Sequence, residues 1–250
     1  MIQPDQTRTS SNKAGLLLWL RWVLANLLGG TVVYLAGIML LAPLGGDSAV
    51  GQSILYLLVA VGIGAVLGLA QWQVLHDQLP TLPRRVWVAA TGFGLAVPLM
   101  LVGFVGPVMA AAAGVVTGWR QVALQSGTIV ATLGLANSFP EALAAACGTG
   151  AVAGVMLGAI QWLALRRYVQ NAAWWVAANM AGGAVGMLAG LWVGIVIVSA
   201  KDNTAVWLLL NMLVGGPGVF ILSSTVTGAT LVALFHRSST NMKPTATQKR

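Results

Sequence analysis

The sequence predicts an all-α fold, a polytopic transmembrane helical bundle, on three observations. Of 250 residues, 58% are hydrophobic and only 7% are charged, where a soluble domain carries about 25% charged residues. Several apolar stretches reach or exceed the roughly 20 residues needed to cross a ~30 Å hydrocarbon core. The net charge of +8 comes from Lys and Arg scattered at the edges of those stretches, so membrane topology explains it and no nucleic-acid partner is expected.

Taken in order, residues 1–15 are polar and read as a cytoplasmic N-terminal tail. The apolar run that follows holds Arg21 and no small-residue cleavage site, so it is expected to be a retained span and not a removed signal. Hydropathy then marks spans near 16–42, 49–76, 86–104, 106–125, 141–166, 173–199 and 206–236. Residues 238–250 form a basic, polar C-terminal tail. The lone cysteine, Cys147, can form no intramolecular disulfide and sits in an Ala-rich run as a small packing residue.

An internal duplication is the most informative feature, because it constrains topology independently of hydropathy. Gly30-Thr31-Val32-Val33 with Gly37 matches Gly127-Thr128-Ile129-Val130 with Gly134. Gly64, Gly68, Gln71, Trp72 and Leu75 match Gly154, Gly158, Gln161, Trp162 and Leu165 at identical internal spacing. Trp87-Val88-Ala89-Ala90 matches Trp175-Val176-Ala177-Ala178. Gly106-Pro107, Val116-Thr117-Gly118 and Val122-Ala123-Leu124 match Gly216-Pro217, Val226-Thr227-Gly228 and Val232-Ala233-Leu234. The order is preserved throughout.

Charge then decides the count. Seven spans would put Arg166 and Arg167 on the face opposite Arg84 and Arg85, although both pairs follow matching helices. Adding 121–139 as a span gives eight, in two pseudo-symmetric parallel four-helix repeats, 16–120 and 121–237. The basic residues except Lys201 then face the cytoplasm with both termini, as the positive-inside bias asks. Seven spans stay open, because 87–139 is short for three full crossings and one segment there would be bent or re-entrant.

Within lipid, helices associate through close backbone approach and shared polar contacts. Small residues four apart supply the approach. Gly64 and Gly68, Gly114 and Gly118, Gly154 and Gly158, and the run Gly182, Gly186, Gly190, Gly194 are the helix-packing candidates. The last is a stripe about 18 Å long at 1.5 Å per residue, which packs a neighbour or holds a flat pigment or lipid tail. The Gly-Pro pairs are expected to start the fourth helix of each unit, with a transporter-like helix break as the alternative.

The most specific motif is Gly-x-x-x-Gly-x-x-Gln-Trp-x-x-Leu, at 64–75 and 154–165, with a degenerate copy carrying Gln121. Gln71, Trp72, Gln161, Trp162, Gln121 and Asn179 are therefore the ligand-binding or helix-contact candidates. Two roles compete. The Trp residues belong to an interfacial belt and each Gln bonds a neighbouring helix, or Gln71 and Gln161 form a pseudo-symmetric pair on one central site.

His76 and His236 end helices without a second ligand at helical spacing, and Asn26 and Asn211 are further intramembrane amides. No catalytic or metal-binding constellation is expected. Ionisable groups inside the bundle mark proton relays and ion-coupled carriers, and the sequence places none away from the boundaries. The paired Gln-Trp-x-x-Leu helices, with Arg-Arg following and Trp-Val-Ala-Ala opening the next span, are similar to uncharacterised multi-pass membrane proteins of prokaryotes, phototrophic ones among them. That resemblance implies a prokaryotic inner or internal membrane and no activity. The expected function is a non-enzymatic scaffold or accessory subunit packing against membrane proteins, lipids or pigments. The partners would be membrane lipids, other membrane subunits or a second copy, with no obligatory cofactor. The alternative is a channel or facilitator for a small or uncharged solute.

Overall fold

An apolar run in hydrocarbon has no water to satisfy its amides, so each such segment closes its hydrogen bonds internally as a helix. A computed structural model describes residues 5–41, 49–112, 139–199 and 216–241. The described residues are helical, without strands: α1 Asp5–Leu41, α2 Ala49–Gln78, α3 Arg84–Ala112, α4 Phe139–Leu165, α5 Trp174–Ser199 and α6 Gly216–Asn241. Five of these are long and apolar enough to cross a membrane: 13–32 in α1, 57–78 in α2, 146–165 in α4, 174–192 in α5 and 217–236 in α6. The protein is a multi-pass membrane bundle.

Two tight hairpins orient the helices. Pro80 lacks an amide donor and disfavours helical backbone before it, so α2 stops. Leu79 N still donates to Leu75 O at 2.7 Å, and Trp87 N takes Pro83 O at 3.3 Å as α3 begins. Between α4 and α5, Val169 N donates to Leu165 O at 3.0 Å, and Trp174 N to Asn171 O at 3.0 Å. Asn171 turns the chain with φ 56°, a left-handed conformation that its short polar side chain tolerates.

Among the described residues, each helix packs on its neighbours in the chain and α6 closes back on α1, so these six helices form a ring. Gly15 of α1 faces Val232 of α6, and Gly30 faces Phe220, which makes that closing pair antiparallel. Both hairpins lie at one end. There Leu82, Trp87, Val169, Ala172 and Trp175 join Leu18 and Trp22 of α1, Leu75 of α2, Leu165 of α4 and Leu234 of α6 in one buried apolar cluster. Arg84, Arg85, Arg166 and Arg167 flank these hairpins, exposed, and define the arginine end. Arg21 pairs with Asp77 there at 2.6 Å. Outward, Leu16, Leu20, Leu24, Leu28 and Val32 form an exposed apolar stripe on α1, one residue per turn.

Several of the glycines lie where a neighbouring helix comes close. A Cβ on Gly64 would meet the Gly92 backbone of α3 at 2.7 Å, and one on Gly68 would meet Val88 Cα at 3.0 Å. A Cβ on Gly154 would strike the Asn179 carbonyl of α5, and one on Gly158 would reach Val176 Cα at 3.0 Å. Gly182 and Gly186 face Ser223 and Val219 of α6, while Gly190 is buried and Gly194 continues the same helix. Gly182 and Gly186 thus lie on the seam between α5 and α6.

Three details differ from expectation. The N-terminal tail is helical from Asp5, and α6 runs to Asn241, past the predicted tail boundary. Helix α3 continues through Pro98 and Gly106-Pro107 to Ala112, although Gly-Pro was expected to open a new helix. The second Gly-Pro pair does open one, at Gly216. At Gly106-Pro107, continuing the helix in lipid satisfies more backbone groups than breaking it. Gln121, Gly114, Gly118 and the expected span 121–139 lie outside the described residues.

Candidate functional site

A glutamine side chain brings two donors and two acceptor lone pairs, and inside a membrane bundle these must be paired by protein. Gly68 and Gly158 precede Gln71 and Gln161 by three residues, so each glycine shares a helix face with its glutamine. Close approach at the glycines therefore carries the amides into the interior. Gln71 is 4% and Gln161 1% exposed. They meet there, with Gln161 Nε2 donating to Gln71 Oε1 at 3.3 Å. Because both sit near the C-terminal ends of their helices, α2 and α4 reach the same end of the bundle.

The contact is one link in a longer chain. Thr91 Oγ1 on α3 accepts from Gln161 Nε2 at 3.0 Å and donates to Gln71 Oε1 at 3.3 Å. Gln71 Nε2 donates to Asn26 Oδ1 of α1 at 2.7 Å, and Asn26 Nδ2 to Trp22 O at 2.8 Å. Trp22 Nε1 then donates to Thr227 Oγ1 of α6 at 3.0 Å. On the other side, Trp175 Nε1 of α5 donates to Gln161 Oε1 at 2.9 Å, and Asn179 Nδ2 to Trp175 O at 2.9 Å. One connected network touches each of the six described helices.

Three buried indoles stand beside it. Trp22 and Trp175 meet edge to face at 5.4 Å between centroids, and Trp87 and Trp175 at 6.3 Å. These rings belong to the apolar cluster of the arginine end, so the amides are covered on that side. The two indoles expected to match, Trp87 and Trp175, are paired differently. Trp175 donates to Gln161, whereas Trp87 Nε1 is buried without a hydrogen-bond partner among the described residues.

The neighbouring candidates go elsewhere. Successive helical residues point about 100° apart, so Trp72 and Trp162 leave the network at the rim. Trp72 Nε1 donates to Leu82 O at 3.1 Å across the first hairpin, and its ring stacks on His76 at 4.6 Å. Trp162 lies under the Arg166 guanidinium at 5.4 Å. Asn179 bonds its own helix through Trp175 O and sits at the contact with α4, where a Cβ on Gly158 would meet its Cβ at 2.8 Å.

The site's chemistry is that of neutral amides, hydroxyls and indoles. These groups are buried and hydrogen-bond one another, and the side chains of the network include no carboxylate, imidazole or thiol. Among the described residues, no cluster of His, Cys, Asp and Glu could hold a metal ion. Sequence inspection picked out Gln71, Gln161 and Asn26 but missed Thr91 and Trp22, and took Trp175 and Thr227 only as repeat markers. A usable signal existed for Thr91, which stands four residues after Trp87 as Asn179 stands four after Trp175. No protein-family model, curated protein or solved structure matches the chain.

Proposed function

We propose that this chain is a non-enzymatic integral membrane scaffold or accessory subunit that packs against other membrane proteins, lipids or pigments. One observation carries the proposal: a single hydrogen-bonded network ties six helices together, with Gln71 and Gln161 turned inward, while large apolar side chains face outward. Intramembrane hydrogen bonds of this kind contribute about 0.6–2 kcal/mol each, and a network linking every helix favours one rigid arrangement. A rigid ring with an apolar exterior suits packing within the bilayer. Purification from native membranes in mild detergent tests it, read by native mass spectrometry and absorbance. A stoichiometric membrane protein, lipid or chromophore is expected to co-purify; recovery of the chain alone overturns the scaffold reading.

A facilitator for a small uncharged solute is the second reading, favoured by the meeting of Gln71 and Gln161 between matching helices. The cluster around Trp22, Trp87 and Trp175 would have to move for solute to pass. Liposome flux of the double variant Gln71→Leu and Gln161→Leu decides. Flux that the variant leaves unchanged, or flux absent from the parent, removes this reading.

The finer topology belongs to the same proposal. Two parallel repeats with cytoplasmic termini are supported by the shared position of Arg84, Arg85, Arg166 and Arg167 at one end and by the positive-inside bias.

A further inference from the structure

We infer that the arginine end is a docking surface for anionic phospholipid headgroups, gripped by the pairs Arg84–Arg85 and Arg166–Arg167. Three independent observations converge on this. First, these four guanidinium groups are exposed and make no ion pair among the described residues, whereas Arg21 at the same end is neutralised by Asp77. Second, Arg84 and Arg85 occupy the first turn of α3, which has no acidic residue. A helix N-terminus carries a partial positive charge and favours anions there, so two added cations without a carboxylate leave that turn doubly in want of an anion.

Third, the depth is right for a headgroup. Trp174, 61% exposed, opens α5 across the hairpin that Arg166 and Arg167 begin, and exposed Trp192 stands toward the other end of α5. The two rings lie about 27 Å apart along the helix, close to a ~30 Å hydrocarbon core, as interfacial aromatic belts do. Arg166 also rests over Trp162, which holds its guanidinium at the rim. Guanidinium forks match phosphate geometry, and a phospholipid presents its phosphodiester at this depth.

The inference deepens the lipid part of the scaffold proposal and is separable from its protein part. Native mass spectrometry of the full chain, titrated with phosphatidylglycerol or phosphatidylcholine, provides the test. The expected result is preferential retention of phosphatidylglycerol, weakened about thirtyfold when either pair is changed to Gln (R84Q/R85Q or R166Q/R167Q), and largely restored by Lys. Equal retention of both lipids overturns it, and so does retention unaffected by the Gln variants. A thermal shift with inorganic phosphate equal to that with phosphatidylglycerol would overturn the lipid assignment. If the Gln variants do not fold, salt titration of the parent chain serves instead: phosphatidylglycerol retention must fall as salt rises, and salt-insensitive retention rejects the surface. A protein partner recovered without lipid preference would leave the scaffold standing and this inference refuted.

Discussion

Gln161 is the busiest residue of the network, donating to Gln71 and Thr91 and accepting from Trp175. Gln161→Leu keeps the volume near that of the amide and strands the Trp175 indole, which is 1% exposed. An unpaired buried donor costs about 1–3 kcal/mol. The variant is therefore expected to unfold at lower denaturant, with altered Trp fluorescence. The buried indoles of Trp87 and Trp175 give a sharper comparison. Trp175→Phe removes a satisfied donor, leaving Gln161 Oε1 short of a partner, whereas Trp87→Phe removes a donor that already lacks one. Both lose similar volume, so Trp175→Phe should be the more destabilising by about 1 kcal/mol. Equal losses in a denaturation series would show that the Trp87 indole is paired in the membrane.

Among the helices, close contact is decided by which glycines face a neighbour's backbone. Gly154 and Gly148 share α4, yet a Cβ at Gly154 would enter the Asn179 carbonyl while one at Gly148 meets nothing within 4 Å. Gly154→Ala is expected to pry α4 from α5 and lower the thermal midpoint in detergent. Gly148→Ala should leave the midpoint unchanged or raise it, since Ala is favoured over Gly in a helix by up to about 1 kcal/mol. The repeated Gly-x-x-x-Gly pattern was legible in the sequence as a packing motif, and so was its linkage to Gln three residues on. The partner was not, because spacing along one helix says nothing about the residue it meets on another.

For the whole molecule, the ring of described helices and its arginine end are the properties to test. With Cys147→Ser as background, cysteines at Arg85 and Arg167 should react with a membrane-impermeant thiol reagent from the same side, the cytoplasmic face of inverted vesicles. Labelling from opposite sides would contradict the shared end seen in the hairpins, and would restore the seven-span expectation. Helix existence and apolar character were readable in the sequence because lipid imposes them locally. Helix α3 was misjudged at Gly106-Pro107 because proline's local bias competes with the bilayer's demand for continuous backbone pairing, and the balance depends on surroundings a sequence does not display.

By itself, the sequence determined that this is a multi-pass helical membrane protein, because hydrophobic length and the scarcity of charge are sums over residues that need no fold to evaluate. It also nominated Gln71 and Gln161, since an amide repeated at one spacing in an apolar segment must find partners. Only the tertiary structure decided that those partners are each other, Thr91, Asn26 and Trp175, and that α6 closes on α1 to complete the ring. The physical reason is range. Periodicity and hydropathy act along a single helix, whereas a hydrogen bond between residues 90 positions apart, such as that joining Gln161 to Gln71, exists only once the helices are packed.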